Sequence, residues 1–360
     1  LEERILKKAA LAACAAAVIA CVIVPFLPRI IRSAQAWMQA VEYERTKEER
    51  EKRALSGVAL LEYNNKRAEE EWQNDTRLEE GIRLALPLGV SGDDIKVFND
   101  YLVQEVIISI PFAGDAYLYD YPMLGLSGPM EDIVFESRGK FGTLTLKTDM
   151  VYELDTSYDE DYFYIRFLTP HEVYDKVVVI DAGHGGEDQG VSKQGIHEKD
   201  IDLDIALKLK EIFDGAPDTS VGVYYTRTKD KGASLDTRKK LAEKAKADLF
   251  ISIHNNATQS GMMSSIHGTQ AVYDTQAPES KELAQACLNE LTAILGSSDK
   301  GTRAARQGED VVYGCSMPAV QVEVGFLTNQ AELEQLCSQE YQKKAAQGIY
   351  NVISSVLKKR

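Results

Sequence analysis

Residues Lys176 to Asp200 read KVVVIDAGHGGEDQGVSKQGIHEKD. A short apolar run of β type, Val177-Val178-Val179-Ile180, breaks into a loop with glycines at 183, 185, 186 and 190 and one histidine, His184. A helical pattern starts at His197-Glu198-Lys199-Asp200. A buried strand that delivers a histidine into a glycine-rich loop is one way to build a site, because glycine lets backbone come close to a bound group. The competing readings are a nucleotide loop and an ordinary turn. The dinucleotide fingerprint fails, since the sixth position counted from Gly183 is Asp188, and the eight-residue P-loop pattern is absent.

From Lys176 onward strands alternate with helices. Strands are expected at Val177–Ile180, Val221–Thr226, Asp248–His254, Gly268–Tyr273 and Ala319–Phe326. Helices are expected at Lys199–Phe213, Leu235–Ala247, Pro278–Leu295 and Gln339–Leu357. This alternation predicts an α/β domain with a mostly parallel sheet flanked by helices on both faces. In such sheets ligands collect beyond the carboxyl ends of the strands. His184 follows the first strand, His254 ends Leu249-Phe250-Ile251-Ser252-Ile253, and Glu323 lies near the end of Ala319-Val320-Gln321-Val322-Glu323-Val324. Alternation sets Glu323 opposite to Val320, Val322 and Val324, and a carboxylate in an apolar strand is costly to bury without a partner or a task. Glu198, at the start of the first helix, is a fourth candidate.

Two imidazoles and one carboxylate form a common catalytic zinc set that leaves a position open for water. The same set serves non-haem iron oxygenases. Export of the domain and the parallel α/β pattern favour zinc. Taken singly, each histidine reads as a hydrogen-bonded structural residue; joint placement at one sheet edge makes the pair a site. His197 reads as a solvated histidine at a helix start, or one that orients Glu198. His267 reads as a loop residue and His171 as a linker residue. Arg227 and Arg238 read as ion-pair formers, and Glu187 and Asp188 as acids near the metal or facing solvent. Asn255 suits either substrate or the His254 loop.

Four blocks resemble the zinc-dependent N-acetylmuramoyl-L-alanine amidases: Asp181-Ala182-Gly183-His184-Gly185-Gly186, His197-Glu198-Lys199-Asp200, Ser252-Ile253-His254-Asn255-Asn256-Ala257, and Val322-Glu323-Val324-Gly325-Phe326-Leu327-Thr328-Asn329. The resemblance covers about residues 174–360 and includes Thr226-Arg227 and Leu235-x-x-Arg238. It departs from the family at Ala182, where proline is frequent. It implies Zn²⁺ ligands at His184, Glu198 and His254, a catalytic carboxylate at Glu323, and peptidoglycan as substrate. The reaction it implies is hydrolysis of the amide between N-acetylmuramic acid and the first L-alanine of the stem peptide. Two other readings stay open: a wall-binding scaffold with a degenerate amidase fold, and a zinc peptidase cutting within the stem. The span between His254 and Glu323 is filled by loops, a strand and one helix, so no inserted plug is expected over the site.

Upstream, about Leu84 to Pro170, the pattern turns to period two. Val106–Ile110, Asp132–Phe135, Thr143–Lys147 and Tyr162–Phe167 read as strands, with turns at glycines 114, 125, 128, 139 and 142. This predicts a small all-β module over 83–173, similar in pattern and position to the AMIN domains that accompany cell-wall hydrolases. It holds 6 basic and 16 acidic residues, most of the chain's net charge of −15, which argues against nucleic acid and anionic lipid as its partners. Residues 35–82 read as a charged helical linker, a stalk stitched by i,i+4 pairs. Ala9 to Leu27 is an apolar run of 19 residues, long enough to span a bilayer as an N-terminal membrane helix. Ala34-Gln35-Ala36 would suit cleavage of a signal segment ending at residue 34. Either reading, anchor or signal, places the domain on the extracytoplasmic side of a bacterial membrane. Five cysteines occur without a Cys-x-x-Cys, which predicts neither a disulfide framework nor a cysteine zinc site.

Overall fold

The computed structural model describes residues 27–216 and 219–359. Contacts divide the chain into two compact units, residues 1–63 and 64–360. The first contains helix α1 (Leu27–Arg53) and the start of α2 (Gly57–Arg67). Arg45 and Glu49 pair at i,i+4 spacing, 3.6 Å apart, as the interleaved charges of α1 suggest. The apolar run from Ala9 lies outside the described residues except for Leu27. Among the described residues no helix is long and apolar enough to cross a membrane.

The second unit begins with α3 (Glu69–Asn74) and eight strands: β1 (Gly81–Ala85), β2 (Lys96–Asp100), β3 (Glu105–Pro111), β4 (Leu124–Gly125), β5 (Met130–Arg138), β6 (Phe141–Thr148), β7 (Glu153–Tyr158) and β8 (Tyr162–Leu168). A short helix, α4 (Tyr117–Asp120), precedes β4. The strands form two antiparallel sheets, ordered β4-β1-β8-β7 and β2-β3-β6-β5. Alternation sorts the faces: Val106, Ile108 and Ile110 of β3 and Leu144 and Leu146 of β6 are buried. The expected period-two runs are β3, β5, β6 and β8. The other four are short or more polar, and their burial is decided by neighbouring strands. Gly142, expected in a turn, lies within β6, where a Cβ would stand 2.7 Å from that of Ala113.

Helix α5 (Pro170–Val173) leads into β9 (Lys176–Ala182), the two-stranded hairpin β10 (Ser192–Lys193) and β11 (Ile196–His197), α6 (Glu198–Asp214) and β12 (Val221–Tyr225). Then come α7 (Leu235–Lys244), β13 (Leu249–Asn256), β14 (Thr269–Tyr273), α8 (Pro278–Leu295) and β15 (Asp299–Ala304). The chain closes with β16 (Ala319–Phe326), α9 (Gln330–Leu336) and α10 (Gln339–Leu357). Six strands make one sheet, ordered β12-β9-β13-β16-β14-β15. All neighbours are parallel except β14 against β16. β15, the hairpin and α9 are additions to the expected elements. β15 reads Asp-Lys-Gly-Thr-Arg-Ala and carries no apolar periodicity to announce it.

The two faces of the sheet are covered differently. Val178, Ile180, Leu249, Ile251, Ile253, Val320, Val322 and Val324 pack under α6, α8 and α10. Val177, Val179, Phe250 and Ala319 face the other way, onto Leu241, Ala242 and Ala245 from α7 and its end. That second core also takes in Leu102, from the connection between β2 and β3, and Val151, from the connection between β6 and β7. A ten-residue helix covers little of a six-stranded sheet, and residues from the β region complete the layer. Replacing Leu102 with alanine is expected to cost about 2–4 kcal/mol, by lost burial plus residual cavity. Equilibrium denaturation checks this, and a loss under about 0.5 kcal/mol, the scale of ordinary surface substitutions, would remove Leu102 from the shared core.

Candidate metal centre

On the face away from α6, three strands switch from apolar to polar near their carboxyl ends. Val177 and Val179 give way to Asp181, Phe250 to Ser252 and His254, and Ala319 to Gln321 and Glu323. The register aligns these changes: Asp181, Ser252 and Gln321 form one row across β9, β13 and β16, and His254 lies directly opposite Glu323 in the next.

In the first row Asp181 and Ser252 are structural. Asp181 is fully buried and accepts hydrogen bonds from Thr226 Oγ1, Ser252 Oγ and Arg238 Nη1, each at 2.6 Å. Burial opposes its ionisation, but the Arg238 charge beside it and the two hydroxyls hold its carboxyl below the ordinary range. Arg238 also donates to the carbonyls of Ala182 and His184. Arg227 donates to the carbonyls of Ala182, Gly183 and Lys199. Arg238 is thus the ion-pair former expected, whereas Arg227 clamps backbone. Together they fix the loop that presents His184, whose own φ of 57° lies in the left-handed region.

His254 of the second row and His184 of the loop converge on Glu198, the first residue of α6, where a carboxylate meets the positive end of the helix. Its Oε1 lies 3.2 Å from His184 Nε2 and 3.1 Å from His254 Nδ1. The same oxygen accepts from the backbone of Asn255 at 3.0 Å, and Oε2 accepts from that of Val191 at 2.8 Å. The two rings meet edge to face, 4.9 Å between centroids. On its far side His184 Nδ1 lies 2.8 Å from Asp188 Oδ2, so Asp188 is the acid that orients a ring. Glycines make room: a Cβ on Gly183 would stand 2.4 Å from the His254 ring, and one on Gly190 2.6 Å from Glu198 Oε2. With no residue protruding, a cradle of two imidazole nitrogens and one carboxylate oxygen remains, a donor set that fits Zn²⁺.

Asp202, one turn beyond Glu198, was not anticipated. His184, Glu198, Asp202 and His254 each offer a ligand atom, and these atoms lie within 4.8 Å of one another. Asp202 is fully buried, and its Oδ1 accepts from Asn255 Nδ2 at 2.8 Å. Burial first, and the Glu198 charge second, push its carboxyl well above the ordinary range. Its i+4 spacing from Glu198 is visible in the sequence, but nothing there distinguishes it from Asp200 or Asp204. Asn255 donates to α6 twice, from its backbone to Glu198 and from its side-chain Nδ2 to Asp202. His197 is half-buried against Ser192 Oγ at 2.8 Å, His171 meets the Lys246 carbonyl at 2.9 Å, and His267 is exposed in its loop. None of the three joins the cluster.

Glu323 is 6% exposed, and burial raises its proton affinity, with Glu198 adding to the effect. Gln321 Nε2 donates to its Oε1 at 2.8 Å, and Arg303 Nη2 lies 3.9 Å from the same oxygen. Between His254 and Glu323 the helix is α8, which packs on the opposite face of the sheet.

Fold and site together define an α/β protein with a cluster of two histidines and a carboxylate at the carboxyl edge of its sheet. The model of the N-acetylmuramoyl-L-alanine amidase family matches residues 178–355. The amidase LytC of Bacillus subtilis (strain 168) is 38% identical over 50% of this chain and 35% of its own length. The uncharacterized protein YqiI of the same organism is 36% identical over 50% of this chain and 84% of its own length. The germination-specific N-acetylmuramoyl-L-alanine amidase of that organism is 31% identical over 49% and 78% respectively. Among solved structures, the catalytic domain of CwlV from Bacillus (Paenibacillus) polymyxa var. colistinus is 37% identical, with a TM-score of 0.47 over 51% of this chain and 98% of that one. The chain belongs to the N-acetylmuramoyl-L-alanine amidase family. It spans about a third of LytC.

Without metal, the cluster makes stability depend on pH. Burial lowers the proton affinity of His184, but the hydrogen bonds with Glu198 and Asp188 outweigh it and raise the ring's pKa from 6.5 to about 9. Burial likewise opposes ionisation of Glu198, yet the two rings hold its pKa far below 4.5. The His184 contribution is complete below pH 6.5 and disappears as pH rises through about 9. The Glu198 contribution is complete above pH 4.5 and declines as pH falls below it. Denaturation of chelator-treated protein, compared with His184→Phe, is expected to show the largest difference between pH 4.5 and 6.5 and a smaller one above pH 9. A difference flat across that range would contradict the ion pairing.

Proposed function

We propose that this chain hydrolyses the amide bond between N-acetylmuramic acid and L-alanine in bacterial peptidoglycan. His184 Nε2, Glu198 Oε1 and His254 Nδ1 would hold Zn²⁺, and Glu323 serves as general base and acid. The observation that carries the reading is the convergence of both imidazoles on one buried carboxylate oxygen, with Glu323 opposite His254 in the adjoining strand. Family membership and the names of the matched relatives support the bond chosen.

When bound by His184, Glu198 and His254, zinc would supply Lewis-acid chemistry that polarises a carbonyl and makes water acidic near neutral pH. The protein's own residues do the rest. Asp188 and the backbone donors to Glu198 fix the donor atoms. Arg227 and Arg238 hold the loop that carries His184. Glu323, whose proton affinity is raised mainly by burial, takes a proton from attacking water and gives it to the departing amine of L-alanine. The complete donor set argues against a degenerate scaffold. The run from Ala9 to Leu27 anchors the chain on the extracytoplasmic side, with residues 35–82 as linker, 83–173 as the AMIN-like module and 174–360 as the catalytic domain.

Replacing Glu323 with glutamine is expected to leave zinc content unchanged and to lower turnover about 10²- to 10⁴-fold, the usual worth of a positioned acid or base. Mass spectrometry of digested muropeptides reads the outcome. Wild-type protein should release stem peptides with L-alanine at the amino end. Shortened stems still attached to sugar would mean a peptidase instead.

A further inference from the structure

Glu323 shares its face of β16 with Gln321, two residues earlier, and both are more than nine-tenths buried. The Gln321 amide nitrogen donates to Glu323 Oε1 at 2.8 Å and lies 3.5 Å from Asp310 Oδ1. Asp310 is held by a two-pronged contact with Arg303 of β15, Nη1 to Oδ2 at 2.7 Å and Nη2 to Oδ1 at 2.8 Å, and by the backbone of Arg306. Arg303 Nη2 is in turn 3.9 Å from Glu323 Oε1. Every polar contact of Glu323 among the described residues therefore falls on Oε1, which leaves Oε2 to exchange protons.

We infer that Gln321, backed by the Arg303–Asp310 pair, is a positioning residue that fixes the Glu323 carboxylate with Oε2 as its reacting atom. The inference rests on the reading of Glu323 given above. A purely structural role for Gln321 is disfavoured by its other end: among the described residues, Oε1 of this buried amide has no hydrogen-bond partner. Leaving such an acceptor unsatisfied costs about 1–3 kcal/mol, which an apolar side chain of the same shape would not incur. The benefit of the amide lies in the one donor it turns to Glu323. Donation to a charged acceptor is worth more than to a neutral one, and it holds the carboxylate at a single angle. Arg303 adds positive charge on the same side, while Asp310 keeps that guanidinium from closing directly onto Glu323.

The test uses the full chain and four measurements: kcat, KM, zinc content and thermal midpoint. Gln321→Met removes the donor at similar volume. It is expected to lower kcat roughly tenfold with KM, zinc content and midpoint nearly unchanged. In a Glu323→Gln background the same substitution should cause no further loss, because its effect passes through the carboxylate. Arg303→Lys, which keeps the charge without the fork, should lose less than Arg303→Met. Wild-type kcat in Gln321→Met, or an equal fold-loss in both backgrounds, overturns the positioning role and leaves the reading of Glu323 intact. A Glu323→Gln variant that turns over at the wild-type rate overturns that reading, and this inference with it.

Discussion

Each buried carboxylate at the carboxyl edge of the sheet has to be neutralised, and the architecture follows from how that is done. Asp181 is paired with a guanidinium and two hydroxyls. Glu198 is held between two imidazoles at a helix N-terminus. Asp310 takes the fork of Arg303. Asp202 has, among the described residues, only the hydrogen bond from the Asn255 amide, and its burial favours the protonated form. A buried charge deprived of its partner costs about 3–5 kcal/mol, so this set cannot be rearranged piecemeal. The loop of His184 is held by the same groups, since Arg238 bonds both Asp181 and the His184 carbonyl. Charge compensation and the geometry of the centre are one network.

Much of this could be read from alternation alone. Strand β16 reads Ala-Val-Gln-Val-Glu-Val, and its period-two polar residues mark a face where the apolar core ends. His184 lies two residues past the end of β9 and His254 directly after Ile253 in β13, at the edge where parallel sheets bind ligands. α8, β16 and α10 begin and end at the residues their patterns predict. Partnerships between distant elements were not legible. Asp202 looks like its neighbours on α6, and Arg303 lies in a strand without apolar periodicity. Asp310 comes from an irregular segment whose path only the assembled sheet defines. The antiparallel turn of β14 against β16 was hidden for the same reason: strand direction is a property of the connection, and α8 lies after β14 instead of before it.

Apolar contacts run across residue 174, where the sequence suggests a boundary. Leu102 and Val151 lie in the same core as Val177, Val179 and Phe250. Tyr224 of β12 donates to Glu153 of β7 at 2.6 Å and meets Tyr101 edge to face at 5.0 Å. Composition changes sharply between the acidic β region and the α/β part, but composition reports solvent-facing residues, whereas apolar contacts decide which segments fold as one.

Helix α7 connects these contacts to the metal loop. One side of it is gripped from upstream: Val151 donates to the Lys244 carbonyl at 3.1 Å, Lys244 Nζ donates to the Asp149 carbonyl, and His171 meets the Lys246 carbonyl just beyond the helix end. From the first turn of the same helix, Arg238 reaches Asp181 and the His184 carbonyl. The helix cannot slide relative to the β region without breaking the backbone pairing at Lys244. Nor can it slide relative to the sheet without uncovering a buried carboxylate. A ten-residue helix is too short to hold a position by its own propensity, since helices of that length depend on tertiary packing. Its placement, and through Arg238 that of the His184 loop, is therefore set by both of the regions it touches.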